Sequence, residues 1–194
     1  MTMPYDASSD ETDDALLARY ATGDAAAARA LTARLTPRVY GHAYRLLGDR
    51  AEAEDVTQEA LLRLWRIAPN WREGEAKVST WLYRVTANLC TDRVRRKRPS
   101  GMEDMPEMAD DGPGADSAMQ ERARADALQS ALHDLPDRQR QAVVLRHIEE
   151  LGTPEIAAIM DIGPRAVESL VARGKRALAE ILRGRKDELG YTDD

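Results

Sequence analysis

Apolar side chains recur at steps of three and four residues along most of this chain, which is the spacing of amphipathic helices. In residues 78–96, VSTWLYRVTANLCTDRVRR, the apolar stripe consists of Val78, Leu82, Val85 and Leu89. The opposite face of this segment is polar and becomes increasingly basic toward its end. The pattern predicts an all-α fold with four helices in each half of the chain.

Capping and breaking residues mark the expected helix ends. Gly23 and Gly48 should end the first two helices, because glycine readily adopts the left-handed conformation that follows a helix. Asp24 and Asp49 are suitable N-caps for the second and third helices, and Pro37 predicts a kink within the second. The predicted helices span residues 13–22, 24–47, 51–68, 78–96, 119–133, 137–148, 153–160 and 164–183.

The middle of the chain, residues 99–118, has neither a helical nor a strand period. It combines three prolines and three glycines with acidic residues and has too few branched apolar residues to bury anything. This composition predicts a flexible acidic linker between two small helical domains, residues 14–98 and 119–184. An acidic flexible arm is expected at residues 1–13 and a tail at residues 185–194.

The amino-acid composition supports the prediction of an all-α fold and indicates the cellular compartment. Aromatic residues make up 5% of the chain and Phe is absent, so the cores must rest on Leu, Ala, Val and Ile. The single cysteine, Cys90, excludes an intramolecular disulfide and is typical of a reducing cytoplasm. No apolar run reaches the ~20 residues of a membrane span, so we expect a cytoplasmic protein without membrane insertion.

Charge is distributed unevenly behind a formal net charge of −6. Residues 15–98 carry 16 basic and 9 acidic side chains, whereas residues 99–126 carry 2 basic and 8 acidic ones. Bases at a helix end complement its dipole by only ~0.3–1 kcal/mol, so one or two would suffice there. Five basic residues together are better explained by contacts with phosphate groups. The alternative is a basic helix end that only solvent contacts. The five that close the fourth predicted helix are Arg93, Arg95, Arg96, Lys97 and Arg98.

The last two predicted helices are joined by a short turn that contains Gly163, which is the pattern of a helix-turn-helix. Apolar residues at 156, 157, 160 and 162 are expected to pack against Val167, Leu170, Val171, Leu178 and Ile181. The side chains expected to face outward along the second helix are Arg165, Ser169, Ala172, Arg173 and Arg176.

Three motifs, taken in order, resemble the extracytoplasmic-function (group IV) sigma factors of the sigma-70 family. EDVTQEALLRLW at 54–65 resembles their region 2.2, and residues 78–96 resemble regions 2.3–2.4. LPDRQRQAVVLRHIEELGTPEIAAIMDIGPRAVESLVARGKRAL at 135–178 is similar to their region 4. The resemblance spans roughly residues 14–183, and the order of the motifs makes it specific.

The resemblance implies a non-enzymatic transcription initiation factor that binds core RNA polymerase. The N-terminal domain would read and help open the −10 element of a promoter, and the C-terminal domain would read the −35 element. The linker would pass near the RNA exit path of the polymerase. Such sigma factors are usually held inactive by an anti-sigma factor until a stress releases them, and the free protein is expected to be a monomer.

The resemblance also implies roles for individual residues. The D-x-x-Q-E core of the first motif, with one nearby leucine, would bind the largest polymerase subunit; these residues are Asp55, Gln58, Glu59 and Leu62. The −10 contacts would come from Trp71, Arg72, Trp81, Arg84, Asn88, Arg95 and Arg96, with Tyr83 a further stacking candidate. Trp81 could instead pack in the core, and for Tyr83 core packing is the favoured role. The alternative for the polymerase-binding residues is an ordinary solvated helix face.

The −35 contacts would come from Arg165, Glu168, Ser169, Arg173 and Arg176, since arginine is the usual bidentate reader of guanine. This helix departs from the common family pattern at three positions. Glu168 stands where a lysine is frequent, Leu170 where an arginine is frequent, and Gly174 where an alanine is frequent. The base-by-base roles of family members therefore do not carry over to this helix.

No metal or cofactor site is expected. The three histidines, His42, His133 and His147, are scattered and share no ligand spacing with Cys90, which should be a small packed residue. Neither a glycine-rich phosphate loop nor a catalytic triad pattern occurs. Enzyme activity is therefore not expected.

Two other functions compete with the sigma-factor reading. A sigma-like decoy that sequesters an anti-sigma factor would tolerate loss of the basic residues that this chain keeps. A helix-turn-helix repressor would normally dimerise on a palindrome and leave residues 24–71 without a role. The alternating charge also suggests that the two domains close on one another in the free protein, with basic surfaces occluded and acidic segments competing for them.

Overall fold

The computed structural model describes residues 11–72, 74, 76–97 and 116–184, with side chains from 123 onward in the last segment. This part of the chain is all-α, as predicted, and contains eight α-helices with a single 3-10 turn at Ala68–Asn70. The helices are α1 (Asp13–Ala21), α2 (Ala25–Leu47), α3 (Arg50–Ile67), α4 (Val78–Lys97), α5 (Asp116–His133), α6 (Asp137–His147), α7 (Thr153–Met160) and α8 (Pro164–Gly184). The predicted arm, tail and most of the predicted linker lie outside the described residues.

Local capping signals place the helix ends where the sequence predicts them. The Asp24 carboxylate accepts hydrogen bonds from two backbone N–H groups at the start of α2, and Asp49 accepts one at the start of α3. Gly48 follows α2 with φ 71°, the left-handed conformation that glycine adopts without strain. These positions were predictable because a cap depends only on residues within one turn of it.

α2 runs through Pro37 as a single helix, as predicted, and the kink expected there stays a prediction. Pro37 lies on the exposed side of α2, where solvent can satisfy the carbonyl group that loses its partner. α5 begins at Asp116, three residues before its predicted start, so residues 116–118 are helical rather than linker. Acidic and hydroxyl residues such as Asp116 and Ser117 favour a helix N-terminus.

The N-terminal domain, α1 to α4, has two adjoining apolar cores. One joins leucines of α1 and α2 to the inner faces of α3 and α4, with Leu17, Leu31 and Leu64 fully buried. The other lies at the opposite end of α2 and α3 and includes Val56 and Cys90. Cys90 is the small packed residue that the sequence predicts, and burial raises the pKa of its thiol to about 12.

The buried stripe of α4 is rotated from the predicted one. Val78 and Leu82 are buried as expected, whereas Val85 and Leu89 are only half-buried. The fully buried positions continue instead through Tyr83, Thr86, Ala87 and Cys90. The rotation arises because α4 is packed on two sides, by the N-terminal core and by the C-terminal domain.

The C-terminal domain, α5 to α8, carries the predicted helix-turn-helix in α7 and α8. Ile156 and Met160 of α7 pack against Val167, Leu170 and Val171 of α8 as predicted. The prediction for the second half of α8 is wrong: Leu178 and Ile181 pack against α5 and α6, at Leu132, Leu135, Val143 and Val144. α8 is longer than α7, so its second half extends past it onto the α5–α6 pair.

The two domains are in contact. Helices α2 and α4 of the N-terminal domain pack against α5, α6 and α7 of the C-terminal domain. Tyr83 of α4 belongs to the same apolar cluster as Leu145, Ile156 and Val167. Among the described residues, no helix is both long and apolar enough to cross a membrane.

Candidate polymerase and nucleic-acid interfaces

One side of α3 presents the predicted polymerase-binding residues to solvent. Asp55, Gln58 and Leu62 are exposed, and the exposed fraction of Leu62 is 48%, high for a leucine. Glu59 is half-buried and forms an ion pair with Arg63 one turn away, at 2.9 Å. An apolar side chain among carboxylates on an otherwise polar face suits a partner surface with basic and apolar groups.

The basic end of α4 divides into two parts. Arg93 contacts the Glu52 carboxylate of α3 and lies 3.6 Å from Asp55, so it ties α4 to α3. Both acids hold the pKa of Arg93 above its usual value. Arg95 and Arg96 are exposed, and Arg95 pairs with Asp92 at 3.0 Å on the surface. Of the five basic residues at 93–98, Arg93 is therefore engaged in ion pairs with α3.

Two tryptophan rings are in contact where the loop after α3 meets α4. The rings of Trp71 and Trp81 meet edge to face with centroids 6.0 Å apart, and both pack against the N-terminal core. The Trp71 indole N–H donates to the Asp14 carboxylate at 3.3 Å. Both rings are half-buried: one part of each ring packs against the protein, and the rest is accessible to solvent.

The remaining −10 candidates are exposed in the N-terminal domain. Arg84 and Asn88 are exposed on α4, one turn apart, and Arg72 is exposed in the loop that follows Trp71. Arg95 and Arg96 continue the same helix toward its C-terminus. Arg84, Asn88 and Arg95 recur at helical spacing along α4 and are all exposed, so they lie on one side of this helix.

The −35 candidates all lie on the solvent side of α8. Arg165, Glu168, Ser169, Arg173 and Arg176 are exposed, as predicted for the outward face of this helix. The buried positions of the helix are Val167 and Gly174. A Cβ at Gly174 would lie 2.6 Å from Val143 Cγ2 and 3.1 Å from the Gln139 carbonyl oxygen. Glycine therefore allows α8 to approach α6 closely, which accounts for one departure from the family pattern.

A buried polar cluster that the sequence did not predict joins the two domains. The Tyr83 hydroxyl donates to Glu149 Oε2 at 2.5 Å, and His42 Nδ1 lies 3.6 Å from Glu149 Oε1. His42 is fully buried against the Tyr83 ring. Burial alone would raise the pKa of Glu149, but contact with His42 and Tyr83 outweighs it and lowers the pKa. Burial and the Glu149 carboxylate raise the pKa of Tyr83 well above its usual value.

Arg140 is the second group that sequence reasoning missed. Its side chain is buried, with a residue exposure of 7%, and it donates to the backbone carbonyls of Leu132, His133 and Leu135 at the end of α5. It also donates to the Leu46 carbonyl of α2 at 2.6 Å, across the domain boundary. The residues around Arg140 form an ordinary amphipathic pattern, and nothing in them indicates that its acceptor lies far away in the sequence.

The expected occlusion of the basic surfaces is not found in the described residues. The domains are closed on one another, but Arg84, Arg96, Arg165 and Arg173 are exposed in this arrangement. The contact between the domains is made by α2 and α4 on one side and by α5, α6 and α7 on the other. Within the same part of the chain, no group of three or more His, Cys, Asp or Glu is arranged to hold a metal ion.

Comparison with protein families assigns both domains. Residues 31–99 match the model of sigma-70 region 2, and residues 125–178 match the model of sigma-70 region 4. The ECF RNA polymerase sigma factor SigE of Mycolicibacterium smegmatis is 40% identical over 170 residues, which are 84% of this chain and 65% of that protein. The corresponding factor SigW of Bacillus subtilis is 33% identical over 157 residues, 75% of this chain and 83% of that protein.

Solved structures agree with this assignment. The structure of CnrH in complex with the cytosolic domain of CnrY matches with a TM-score of 0.66 and 25% identity, over 90% of this chain and 99% of that one. The sigma factor RpoE in complex with the anti-sigma factor NepR, from Bartonella quintana, shares the fold with a TM-score of 0.63 and 21% identity, over 78% of this chain and 94% of that one. The chain belongs to the extracytoplasmic-function group of the sigma-70 family, the subunits that direct RNA polymerase to promoters.

Proposed function

We propose that this chain binds core RNA polymerase through the exposed side of α3. Asp55, Gln58, Glu59 and Leu62 supply the contact in this proposal. The observation that carries it is the exposure of Leu62 beside an acidic surface, in a helix whose other leucines, Leu61 and Leu64, are buried. An exposed apolar side chain within a charged surface is a common feature of the centre of a protein interface.

Promoter recognition follows from the two exposed basic surfaces. The surface of Arg84, Asn88, Arg95 and Arg96 would hold the −10 element, with phosphate contacts at the basic end and base contacts nearer the loop. Trp71 and Trp81 would stack on unpaired bases with the parts of their rings that solvent reaches. Arg72 would contact the strand from the loop.

The outward side of α8 would lie in the major groove at the −35 element. Arg165, Arg173 and Arg176 provide guanidinium groups for guanine or phosphate contacts, and Ser169 provides a hydroxyl group between them. Glu168 would accept a hydrogen bond from cytosine N4. Arg173 and Arg176 are oriented by long hydrogen bonds of 3.3 Å to carbonyls of their own helix.

Regulation by an anti-sigma factor is proposed from two similar structures. CnrH was solved with the cytosolic domain of CnrY, and RpoE with the anti-sigma factor NepR. We propose that this chain also has an anti-sigma partner, that it acts in a stress-responsive set of promoters, and that it works in the cytoplasm as a monomer when free. RNA synthesis itself belongs to the polymerase core, and we assign no enzyme activity to this chain.

A decoy function is the second candidate. A decoy would bind an anti-sigma factor and need neither basic surface. The exposure of Arg96 and Arg173 on two separate surfaces favours DNA binding over this alternative.

The test of polymerase binding compares two isosteric variants of α3. Asp55→Asn should weaken the affinity for core polymerase at least about tenfold, the loss expected for a charged group at an interface. Glu54→Gln removes an equal charge from the exposed position before it and should change the affinity less than about twofold. Equal effects of the two variants would reject the α3 surface as the binding site.

A further inference from the structure

Two carboxylates of α3 share one guanidinium nitrogen of α4 as their ion-pair partner. Arg93 Nη1 contacts Glu52 Oε2 and lies 3.6 Å from Asp55 Oδ2. Glu52 and Asp55 are three residues apart, so they share one side of α3, where like charges repel each other. Arg93 offsets this repulsion and holds both acids near a single cation.

Next to this ion pair, α3 and α4 are already held together by apolar packing. Ala53 and Val56 of α3 belong to the same buried cluster as Ala87 and Cys90 of α4. Close packing of this kind fixes the distance between two helices. The main effect of Arg93 therefore falls on the side chains at the rim of the cluster rather than on the two backbones.

The three charged side chains differ in their exposure to solvent. The exposed fraction is 26% for Arg93 and 23% for Glu52, but 67% for Asp55. The Arg93–Glu52 pair is thus the anchored part of the group, and most of the Asp55 side chain is open to a partner. An exposed aspartate without a cation beside it samples several staggered rotamers. The guanidinium group of Arg93 restricts that choice.

A restricted Asp55 suits the binding of polymerase. In the proposed function, Asp55 is one of the groups on α3 that contact the core enzyme. Ordering a side chain at an interface costs free energy at the moment of binding, and a side chain that is ordered beforehand avoids this cost. The exposed side of α3 continues from Asp55 to Gln58 and Leu62, so the contact with Arg93 lies at one end of the binding surface.

Arg93 is poorly placed for the phosphate contacts that the basic run suggests. Its guanidinium group already has two carboxylate partners, which a phosphate would have to replace. Arg95 lies two residues further along α4, on a different side of the helix, and its exposed fraction is 79%. Arg95 and Arg96 are therefore accessible to DNA, whereas Arg93 acts on α3.

We propose that Arg93 is a positioning residue for polymerase binding. It orients the Asp55 carboxylate from the neighbouring helix, and it makes no contact with promoter phosphates. The orientation of Asp55 in the free chain stands on the ion pair alone. The consequence for polymerase affinity rests on the proposed binding of polymerase by α3.

The orientation of Asp55 is tested in the free, full-length protein by nuclear magnetic resonance. Three-bond scalar couplings to the two Asp55 Hβ atoms should report a single staggered rotamer, and in Arg93→Gln they should move to rotamer-averaged values. Arg29→Gln is the matched control, because it removes an exposed cation from α2 by the same substitution and should leave the couplings unchanged. Averaged couplings in the unsubstituted chain, or unchanged ones in Arg93→Gln, would overturn the proposal.

The consequence for polymerase is tested by a double-mutant cycle. Arg93→Gln should weaken the affinity for core polymerase about three- to tenfold, the effect expected when one more side chain must be ordered on binding. In the Asp55→Asn background, the same substitution should change the affinity less than about 1.5-fold, because the carboxylate that Arg93 orients is absent. Equal losses in both backgrounds would show that Arg93 acts through the packing of α3 on α4, and a gain in affinity would show that it only screens Asp55. Either result would overturn the proposal.

Circular dichroism establishes that each variant is folded. If Arg93→Gln does not fold, Arg93→Lys is carried through the same cycle. Lysine keeps the charge and can contact Glu52, but a single ammonium group holds two carboxylates less firmly than a guanidinium group does. A loss that is confined to the background with an intact Asp55 is again the expected result, and equal losses again overturn the proposal.

The proposed function can fail separately from this inference. If Asp55→Asn and Glu54→Gln weaken polymerase binding equally, the α3 surface is not the binding site, and a role of Arg93 in polymerase binding is rejected with it. The couplings of Asp55 in the free protein still decide whether Arg93 orients this carboxylate.

The absence of a phosphate contact is tested by the salt dependence of promoter binding, with polymerase saturated by each variant. Loss of one phosphate contact lowers the slope of log affinity against log salt concentration by about one. Arg95→Gln should lower the slope by this amount, whereas Arg93→Gln should leave it unchanged. An equal decrease in the two variants would assign Arg93 to DNA and overturn the proposal.

Discussion

The Tyr83 hydroxyl donates a hydrogen bond of 2.5 Å to Glu149 Oε2, and this contact joins the fourth helix of region 2 to the loop before the helix-turn-helix of region 4. Tyr83 is consequently buried in an apolar cluster of the C-terminal domain and cannot stack on a base while the domains are closed. The structure therefore assigns Tyr83 to packing, with a partner that lies 66 residues away in the sequence.

Substitution of Gly48 should weaken the domain contact selectively. Gly48 and Gly23 both have positive φ, so alanine at either position costs ~1–2 kcal/mol of backbone strain. At Gly48 the new methyl group would also overlap the His133 ring, whereas none of the described residues has an atom within 4 Å of a Cβ at Gly23. Gly48→Ala should lower the free energy of unfolding by a further ~1–3 kcal/mol in urea titrations. Equal losses in the two variants would show that His133 does not press on Gly48 in solution.

Substitution of Gly174 should destabilise the C-terminal domain. Alanine gains ~1 kcal/mol of helix propensity over glycine, but its methyl group would press on Val143 and the Gln139 carbonyl. Overpacking of this kind costs ~1–3 kcal/mol, so the expected net change in the melting temperature is a decrease. Gly184→Ala is the control, since its Cβ would have no neighbour within 4 Å in the part of the chain that the structure describes. A rise in the melting temperature of Gly174→Ala would contradict the close packing of α6 and α8.

Replacement of Arg140 by lysine should be costly despite the retained charge. Arg140 donates to carbonyls at the end of α5 and to Leu46, and a single ammonium group cannot reach them all. Each buried carbonyl left without a donor costs ~1–3 kcal/mol, so we expect a loss of ~3 kcal/mol or more in chemical unfolding. The same exchange at the exposed neighbour Arg138 should change stability by less than ~0.5 kcal/mol. A small effect at Arg140 would mean that its hydrogen bonds form only part of the time.

Stability should fall as the pH drops through the window set by His133. Burial, and then the nearby Arg140, lower the pKa of this imidazole to about 4, against the opposing effect of Asp134 and Asp137; Gly48 faces it from α2. The unfolded chain takes up the proton near pH 6.5, whereas the folded chain resists it until about pH 4. Above pH 6.5 the imidazole is neutral in both states and costs the folded state nothing. As the pH falls below 6.5, the unfolded chain binds the proton first, so the free energy of unfolding decreases.

Urea titrations between pH 7 and pH 5 measure this loss. The urea midpoint of the unsubstituted chain should fall with pH across this range, and His133→Gln should reduce the slope because glutamine does not titrate. Identical slopes in the two proteins would show that His133 is solvated in solution.

The parts of the fold that the sequence predicts are those with local causes. Asp24, Asp49 and Gly48 act within one helical turn, so the helix ends follow from them directly. The exposed sides of α3 and α8 follow from periodicity, because each helix has one apolar side and solvent on the other. The family resemblance then supplies a proposed role for residues that periodicity can only place on a surface.

The parts that escape sequence reasoning have partners far along the chain. Arg140 donates to Leu46, 94 positions away, and nothing near either residue indicates it. The rotated stripe of α4 has the same origin, since Tyr83 is buried by the C-terminal domain rather than by its own. Arg93 differs from Arg95 and Arg96 only because Glu52 and Asp55 of α3 lie beside it.

The central claim, that this chain directs RNA polymerase to two-element promoters, is tested most directly by mapping transcripts. Sigma-free core polymerase is mixed with the purified chain on fragmented genomic DNA, and the 5′ ends of the transcripts are sequenced. We expect discrete start sites that share paired upstream elements, that are lost in an Arg95→Ala, Arg96→Ala double variant, and that persist in Arg29→Ala, which removes an exposed base elsewhere. Binding to core polymerase without discrete starts would contradict the account and favour a decoy.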